Sequence, residues 1–448
     1  MKKRRTAVVS AIGLAVAATL GAPSQVAAAD GDSTLQFYGH LDLSIDGATK
    51  GIKEGGAGQN PAPTGKTGWQ TDVSSNLSYF GFRGDHDIGG GNKMVFQVET
   101  QIDVSATPGP SPVNQASQGN VDNKVQGALA SRNSFLGFAG GWGAFKVGKT
   151  DAPYKLSTAR MDPFSATVGD YNSIMGNSGG DNRAEFDTRL SHAMWYESPK
   201  WSGASFSALW APGQNRASDN SNNASGEPDC TGGGGGVQTG GLGPCNDGSF
   251  GDAYSVAGVY EAGSLYAIVA YEFHKLTNRA GDDPVNVGVA DESAAKIGIQ
   301  YMFPTKTIVN LIYEKLDRRN PNPDFNERSR SGFWLAVTQK FSDEDEANLG
   351  WGHAGKTPGQ PGGAPSGVLA TPGSLDNASD MYTIGYKHHF DKKSNWYAVY
   401  ARQANKAGGH YDLGASGHGI TTDCKDAAGF CFTGETLQAV SVGWMYSF

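Results

Sequence analysis

"LQAVSVGWMYSF", Leu437–Phe448, is the stretch whose reading decides the fold. Side chains two apart on a strand share a face. Val440, Val442, Trp444, Tyr446 and Phe448 therefore form one apolar stripe, with Ala439, Ser441, Gly443 and Ser447 behind it. A soluble protein would pack such a stripe into a core. The other solution is a protein whose outside is its apolar side.

The first residues bear on that choice. Residues 1–29 have a basic head (Lys2, Lys3, Arg4, Arg5), an uncharged stretch from Thr6 to Leu20, and Ala27-Ala28-Ala29 at the end. Those are the three zones of a secretory signal with its small-residue cleavage site. The apolar zone falls short of the ~20 residues a membrane-spanning helix needs. No cysteine sits at the cleavage site, which weighs against a lipid-anchored form. The expected mature chain is 30–448.

The whole chain has 448 residues, 64 of them glycine, and a mean hydropathy of -0.42. Losing residues 1–29 removes four positive charges and no acids, so the net charge moves from -8 to -12. An acidic chain of this kind is a poor nucleic-acid binder. The four cysteines form two sequence-local pairs in Gly-rich stretches, Cys230 with Cys245 and Cys424 with Cys431. In an exported protein these are expected to be loop disulfides. Neither pair has CxxC spacing and no histidine clusters with them, so a metal site is not expected, nor is a cofactor.

The same alternation recurs along the chain. In "TLQFYGHLDLSID", Leu35, Phe37, Leu41, Leu43 and Ile45 hold one phase, and Gln36, Tyr38, His40, Asp42, Ser44 and Asp46 the other. Sixteen such segments begin near residues 34, 74, 92, 130, 143, 188, 203, 252, 264, 294, 308, 331, 347, 379, 395 and 436. Short polar turns such as Asp87–Asn92, Pro304–Lys306 and Asp391–Ser394 alternate with long Gly- and Pro-rich loops. An even number of strands with tight turns at one end and long loops at the other predicts an all-β fold, an antiparallel transmembrane β-barrel. Closure leaves no strand edge with unpaired backbone groups in lipid. A propeller would show a repeat of ~40 residues with a shared motif, and none is present. The terminal stripe then becomes the lipid-facing side of a last strand, with Trp and Tyr at the membrane boundary.

The ordered set "LQFYGHLDLSIDG", "SSNLSYFGFRGDHDIGGGNKMVFQVET", "SRNSFLGFAGGWGAFKVGKT", "TRLSHAMWYESPKWSGASFSALWAP" and "VGWMYSF" resembles the general trimeric porins of Gram-negative bacteria across essentially the whole mature chain. The resemblance implies a 16-stranded barrel in the outer membrane, a homotrimer in outer-membrane lipid, and passive diffusion of small hydrophilic solutes and ions. It implies a third long loop, about 151–187, folded inward to narrow the pore. It also implies that Trp444, Tyr446 and Phe448 form the signal read by the barrel assembly machinery.

The predicted inward loop carries Asp151, Asp162, Asp170, Asp181, Glu185 and Asp187. Matched motif by motif, Arg132 of "SRNSF" and Arg189 of "TRLSHAMWY" fall at the family's wall-arginine positions, and Asp162 of "MDPF" falls where its loop has an acid. Asp170 joins Asp162 as a candidate constriction acid. Tyr79 of "SYFGF" stands where an arginine is usual, which weakens the positive wall. Strand phase points Phe80 and Phe82 outward and Tyr79 and Arg83 inward, with His40 and Lys93 as further wall candidates. Acids facing arginines across a waist would bias ions by sign. Phe135, Leu136 and Phe138 break the alternation of the fourth strand and leave its phase ambiguous, a pattern protomer contacts would explain.

Competing motifs fail on context. "GAFKVGKT", Gly143–Thr150, satisfies the phosphate-loop pattern. That loop needs a helix N-terminus after it, whereas here the alternation reads as a strand and Pro153 follows. His388 and His389 are adjacent and face opposite sides of a strand, so they cannot share a metal. No GxSxG or HExxH occurs, and no enzyme is expected. A barrel enzyme is the distant rival. The nearer alternative is a porin specific for a sugar or an organic anion, with Tyr154, Phe164 and Tyr171 as a slide.

Overall fold

The computed structural model describes residues 25–27, 33–50, 68–105, 129–176, 186–212, 252–278, 289–321, 329–358, 376–407, 409, 411, 413, 434 and 436–448. The cysteine pairs, the acids Asp181 and Glu185, and most of the expected leader lie outside them.

The strands are β1 (Gln25–Ala27), β2 (Ser33–Lys50), β3 (Gly68–Ser75), β4 (Tyr79–Gly89), β5 (Asn92–Gln101), β6 (Ser134–Gly140), β7 (Gly143–Asp151), β8 (Arg189–Glu197) and β9 (Ala204–Ala211). They continue as β10 (Ala253–Ala262), β11 (Leu265–Asn278), β12 (Val289–Met302), β13 (Thr307–Arg318), β14 (Ser331–Lys340), β15 (Asp345–Ala354), β16 (Ser379–His389), β17 (Ser394–Asn405) and β18 (Thr436–Ser447). Chain neighbours from β4 to β18 pair antiparallel, and β18 pairs with β2 to close the ring. The short β1 lies along the first residues of β2.

β3 and β4 form one barrel strand in two pieces. The second half of β2 pairs with β3 and its first half with β4. At the break Leu77 takes a left-handed φ of 54°. Side chains bridge the gap: the Asp42 N–H donates to Ser78 Oγ (3.0 Å), Ser78 Oγ donates to the Asp42 carbonyl (3.1 Å), and Asn76 Nδ2 donates to Ser44 Oγ and Tyr397 OH. Counting β3 and β4 as one and setting β1 aside gives the closed 16-stranded antiparallel barrel. The sixteen starts expected from alternation fall close to these strands.

The two faces are sorted as the alternation requires. On β13, Leu311 and Tyr313 are exposed while Asn310, Ile312, Glu314, Leu316 and Arg318 are buried. The terminal stripe is outward too, with Trp444 51% and Tyr446 49% exposed. In β6, Leu136 and Phe138 face out, but Phe135 turns inward. There it meets Trp195 edge-on at 5.4 Å and carries Lys146 Nζ 4.8 Å above its ring. The break in alternation at Phe135 is thus filled by a lumen-side cluster.

Phe448 completes the closure. It exchanges two backbone hydrogen bonds with Gly39, at 3.0 and 3.1 Å. Its ring lies over Gly39, where a Cβ would come within 2.2 Å of Phe448 Cζ. Only glycine leaves room for that ring between Phe37 and Tyr446, whose centroids lie 5.4 and 5.9 Å from it.

The outward column of β15 and β16 shows how the exterior is banded. Its cross-strand pairs run Asp345 with His388, Ala347 with Tyr386, Leu349 with Ile384, Trp351 with Tyr382, and His353 with Asp380. Ionisable pairs end the column, at 2.8 Å for His388 with Asp345 and 2.9 Å for His353 with Asp380, and everything between is apolar or aromatic. At ~3.4 Å per residue and a tilt of ~40°, the eight-residue span from Asp345 to His353 rises about 21 Å. That is close to the ~25 Å apolar band of outer-membrane barrels.

Candidate functional site: the barrel interior

Residues 152–176 leave the end of β7 and pack against inward-facing side chains of β10 to β17. Pro153, with its fixed φ, opens the short helix α1 (Pro153–Thr158), so a helix does follow Gly143–Thr150, contrary to the sequence expectation, although those residues themselves are strand β7; 3-10 turns come next at Ala159–Met161 and Tyr171–Ser173. The Tyr154 N–H donates to Ser255 Oγ (3.0 Å), and Tyr266 OH donates to the Ser157 carbonyl (2.8 Å). At the turn end of the barrel Arg160 pairs with Glu261 (2.8 Å) and lies 4.4 Å above the Tyr266 ring. Phe164 and Tyr171 lean on the fully buried Trp334, with centroids 6.2 and 6.1 Å away.

The acids singled out in this segment, Asp162 and Asp170, come together, and both turn onto their own backbone. Asp162 accepts from the N–H groups of Phe164 (3.0 Å) and Tyr171 (3.1 Å). Asp170 accepts from Ala166 and Asn172, both at 2.9 Å. Together they tie off the turn from 162 to 172. Burial, reinforced by the neighbouring Asp170 carboxylate, lifts the Asp162 carboxyl well above the ordinary range, against the pull of the two N–H donors.

The predicted wall residues gather on β2 to β8 and beside them, and their partners come from the wall itself. Arg132 pairs with Glu99 (2.7 Å) and lies 4.7 Å over the Tyr79 ring. Tyr38 OH donates to the other Glu99 oxygen (3.0 Å), and Arg83 sits 4.7 Å over Tyr38 while donating to Gln36 (2.9 Å). His40 stacks on Tyr79 at 5.5 Å. Arg189 is held by Asn133 (2.8 Å) and Asp151 (3.1 Å), and Lys155 reaches the same carboxylate oxygen at 3.0 Å. Tyr79, the departure from the family pattern, thus serves as the platform under Arg132. Lys93 lies at the turn end, exposed, and bonds Asp85 at 3.0 Å.

A second network was not singled out from the sequence. Lys296 donates to Asp187 (2.5 Å) and Thr158 (2.8 Å), with its Nζ 3.9 Å above the Tyr154 ring. Tyr154 OH in turn donates to Glu314 (3.2 Å). Phe186 stacks on His274 at 4.6 Å, and His274 lies between Glu272 (3.1 Å) and Glu292 (3.3 Å). Arg318 pairs with Glu292 (3.3 Å), and Arg330 donates to the carbonyls of Ile174 (3.2 Å) and Met175 (3.1 Å). Burial raises the Asp187 carboxyl, with Lys296 opposing the shift. The available signal was strand phase: Glu272, His274, Glu292, Lys296, Glu314 and Arg318 all fall on the inward alternation of their strands.

A closed barrel with an apolar exterior and an ionic interior is the architecture of an outer-membrane channel. Residues 13–408 match the Gram-negative porin family, and the chain belongs to it. Among relatives, the major outer membrane protein P.IA of Neisseria meningitidis serogroup A is 29% identical over 219 residues, covering 49% of this chain and 48% of that protein. A P.IB protein from serogroup B is 26% identical over 206 residues, covering 46% and 51%. The match spans about half the length of these relatives. Among solved structures, an anion-selective porin from Comamonas acidovorans superposes with a TM-score of 0.61 at 17% identity, covering 93% of this chain and 100% of that one. Salmonella typhi OmpF, in complex with daunomycin, superposes at 0.55 with 14% identity, covering 95% and 100%. At such identities the likeness is one of fold. The protein is a multi-pass barrel of the Gram-negative outer membrane.

Proposed function

We propose that this protein is a diffusion porin, a water-filled channel that passes small hydrophilic solutes and ions and performs no catalysis. The observation that carries the reading is the inversion of polarity: exposed Leu, Ile, Val and aromatic side chains cover the barrel, while arginines, lysines and carboxylates pair across its inner wall. The segment 152–176 is the inward loop that narrows the path, between its seat on β10 to β17 and the arginine wall of β2 to β8. A homotrimer follows from the family and from the porins it superposes on. The leader, the local disulfides, and the assembly role of Trp444, Tyr446 and Phe448 complete the proposal.

A general channel is favoured over a sugar slide because Tyr154, Phe164 and Tyr171 are at most 4% exposed and engaged in packing. Their faces are not offered to a passing ring. On the wall of β2 to β8, Arg83, Arg132 and Arg189 stand among the inward acids Asp42, Asp46, Glu99 and Asp151, so the balance of these charges along the open path sets the ion preference. The purified protein is tested in liposome swelling with a graded sugar series and in planar bilayers under a salt gradient. Graded exclusion by size is expected, and the reversal potential gives the sign of the ion preference. Saturation by a single solute would replace the general pore with a specific one.

A further inference from the structure

The inner wall of this barrel is interrupted by glycines at the places where the inward segment touches it. Gly298 on β12, Gly350 and Gly352 on β15 and Gly385 on β16 occupy inward positions. A Cβ on Gly352 would stand 2.6 Å from Ile174 Cγ2, and one on Gly298 would stand 3.0 Å from Met161 Sδ. On Gly385 it would meet one edge of the Phe164 ring at 3.1 Å, and on Gly350 it would meet first the wall's own Thr383 Oγ1 (2.3 Å) and Trp334 ring (2.5 Å) and then the other edge of Phe164 at 3.0 Å. Glycine inside a strand weakens it and marks a place where other chain comes close. Four such positions under one segment form a flat bed.

We propose that Gly298, Gly350, Gly352 and Gly385 set the bore of the channel by letting segment 152–176 lie flush against the wall. The inference rests on the reading of that segment as the narrowing loop. Apolar carbons pack at ~3.5–4.0 Å, so a methyl group at Gly352 requires the loop to move about 1 Å. Ile174 cannot turn away cheaply, since a β-branched side chain is restricted at χ1. The wall lies behind the glycine, so the displacement goes into the aqueous path. Solute size selection is thus written in residues of β12 to β16 that touch no solute.

The test is single-channel conductance in concentrated KCl together with liposome swelling by mono-, di- and trisaccharides, on heat-modifiable, folded protein. Gly352→Ala is expected to lower conductance by about 1.5-fold, as a ~1 Å retreat of the free path implies, and to slow trisaccharides most. Adding Ile174→Ala to Gly352→Ala removes the colliding methyl and is expected to restore the conductance of Ile174→Ala alone. Gly258→Ala is the control, because its Cβ would meet only Val269, at 3.5 Å. Conductance unchanged in Gly352→Ala, or a loss that Ile174→Ala does not reverse, overturns the proposal. If Gly352→Ala fails to fold, Gly385→Ala with and without Phe164→Leu decides the same question. A parent protein that forms no channel would instead defeat the porin reading, so the two failures are distinguishable.

Discussion

Replacing Lys296 by methionine isolates what ties Tyr154, Thr158 and Asp187 to β12. The methionine keeps most of the lysine's length and loses its charge. With it go the bonds to Asp187 and Thr158 and the cation over the Tyr154 ring. Asp187 is then buried without its cation, and its Oδ2 already has no hydrogen-bond partner among the described residues. Removing one partner of a buried ion pair costs about 3–5 kcal/mol, which shifts a local closed-to-open equilibrium by roughly a hundredfold or more. The sixteen-stranded ladder does not depend on this contact, so the barrel should keep its heat-modifiable gel mobility while the segment opens. Limited proteolysis in detergent should therefore nick Lys296→Met between residues 152 and 187 under conditions that leave the parent intact. Lys296→Met with Asp187→Asn should recover most of the protection, because no unpaired charge remains. Equal protease resistance of parent and Lys296→Met, or no recovery in the pair, would refute the clamp.

Three further outcomes are expected. Arg132→Gln leaves Glu99 without its guanidinium and removes a cation from the lumen wall, so the reversal potential in a salt gradient should move toward cations; an unchanged potential would remove Arg132 from the selectivity wall. Gly39→Val should block the seat of the Phe448 ring and lower refolding yield, with an overpacking cost of about 1–3 kcal/mol, read by urea unfolding in detergent. The Asp162 carboxyl is raised in the folded protein, so the folded state binds its proton more readily than the unfolded one. Its cost is absent below the ordinary carboxylate range near pH ~4, grows as pH rises, and is complete above the raised pKa. Hydrogen exchange of residues 162–172, corrected for intrinsic rates, should therefore show more protection at acid pH, and the opposite trend would contradict the placement of Asp162.

The barrel was legible because its determinants are local. Alternation in "TLQFYGHLDLSID" and in the last twelve residues assigns the exterior without knowledge of any partner strand, and strand starts follow from turns such as Pro304–Lys306. The interior was legible only as a list of charges. That Arg132 answers to Glu99, and Arg189 to Asp151, depends on which strand lies beside which and on loops that return across tens of residues. Asp162 and Asp170 looked like pore acids because their density was visible and their orientation was not. The glycines of β12 to β16 read as mere weak points in strands until the segment lying on them was in view. Phe135 read only as a break in alternation for the same reason, since its partners Trp195 and Lys146 come from other strands.

The paired histidines and aspartates on β15 and β16 act as depth marks. A bilayer thicker than the interval between them would submerge one pair in acyl chains, and the protein would respond by tilting or by drawing the leaflet thin around that side. The barrel is thereby matched to a thin membrane. In lipids of increasing chain length the penalty should fall first on this sector, making acyl length a control on how upright the channel stands.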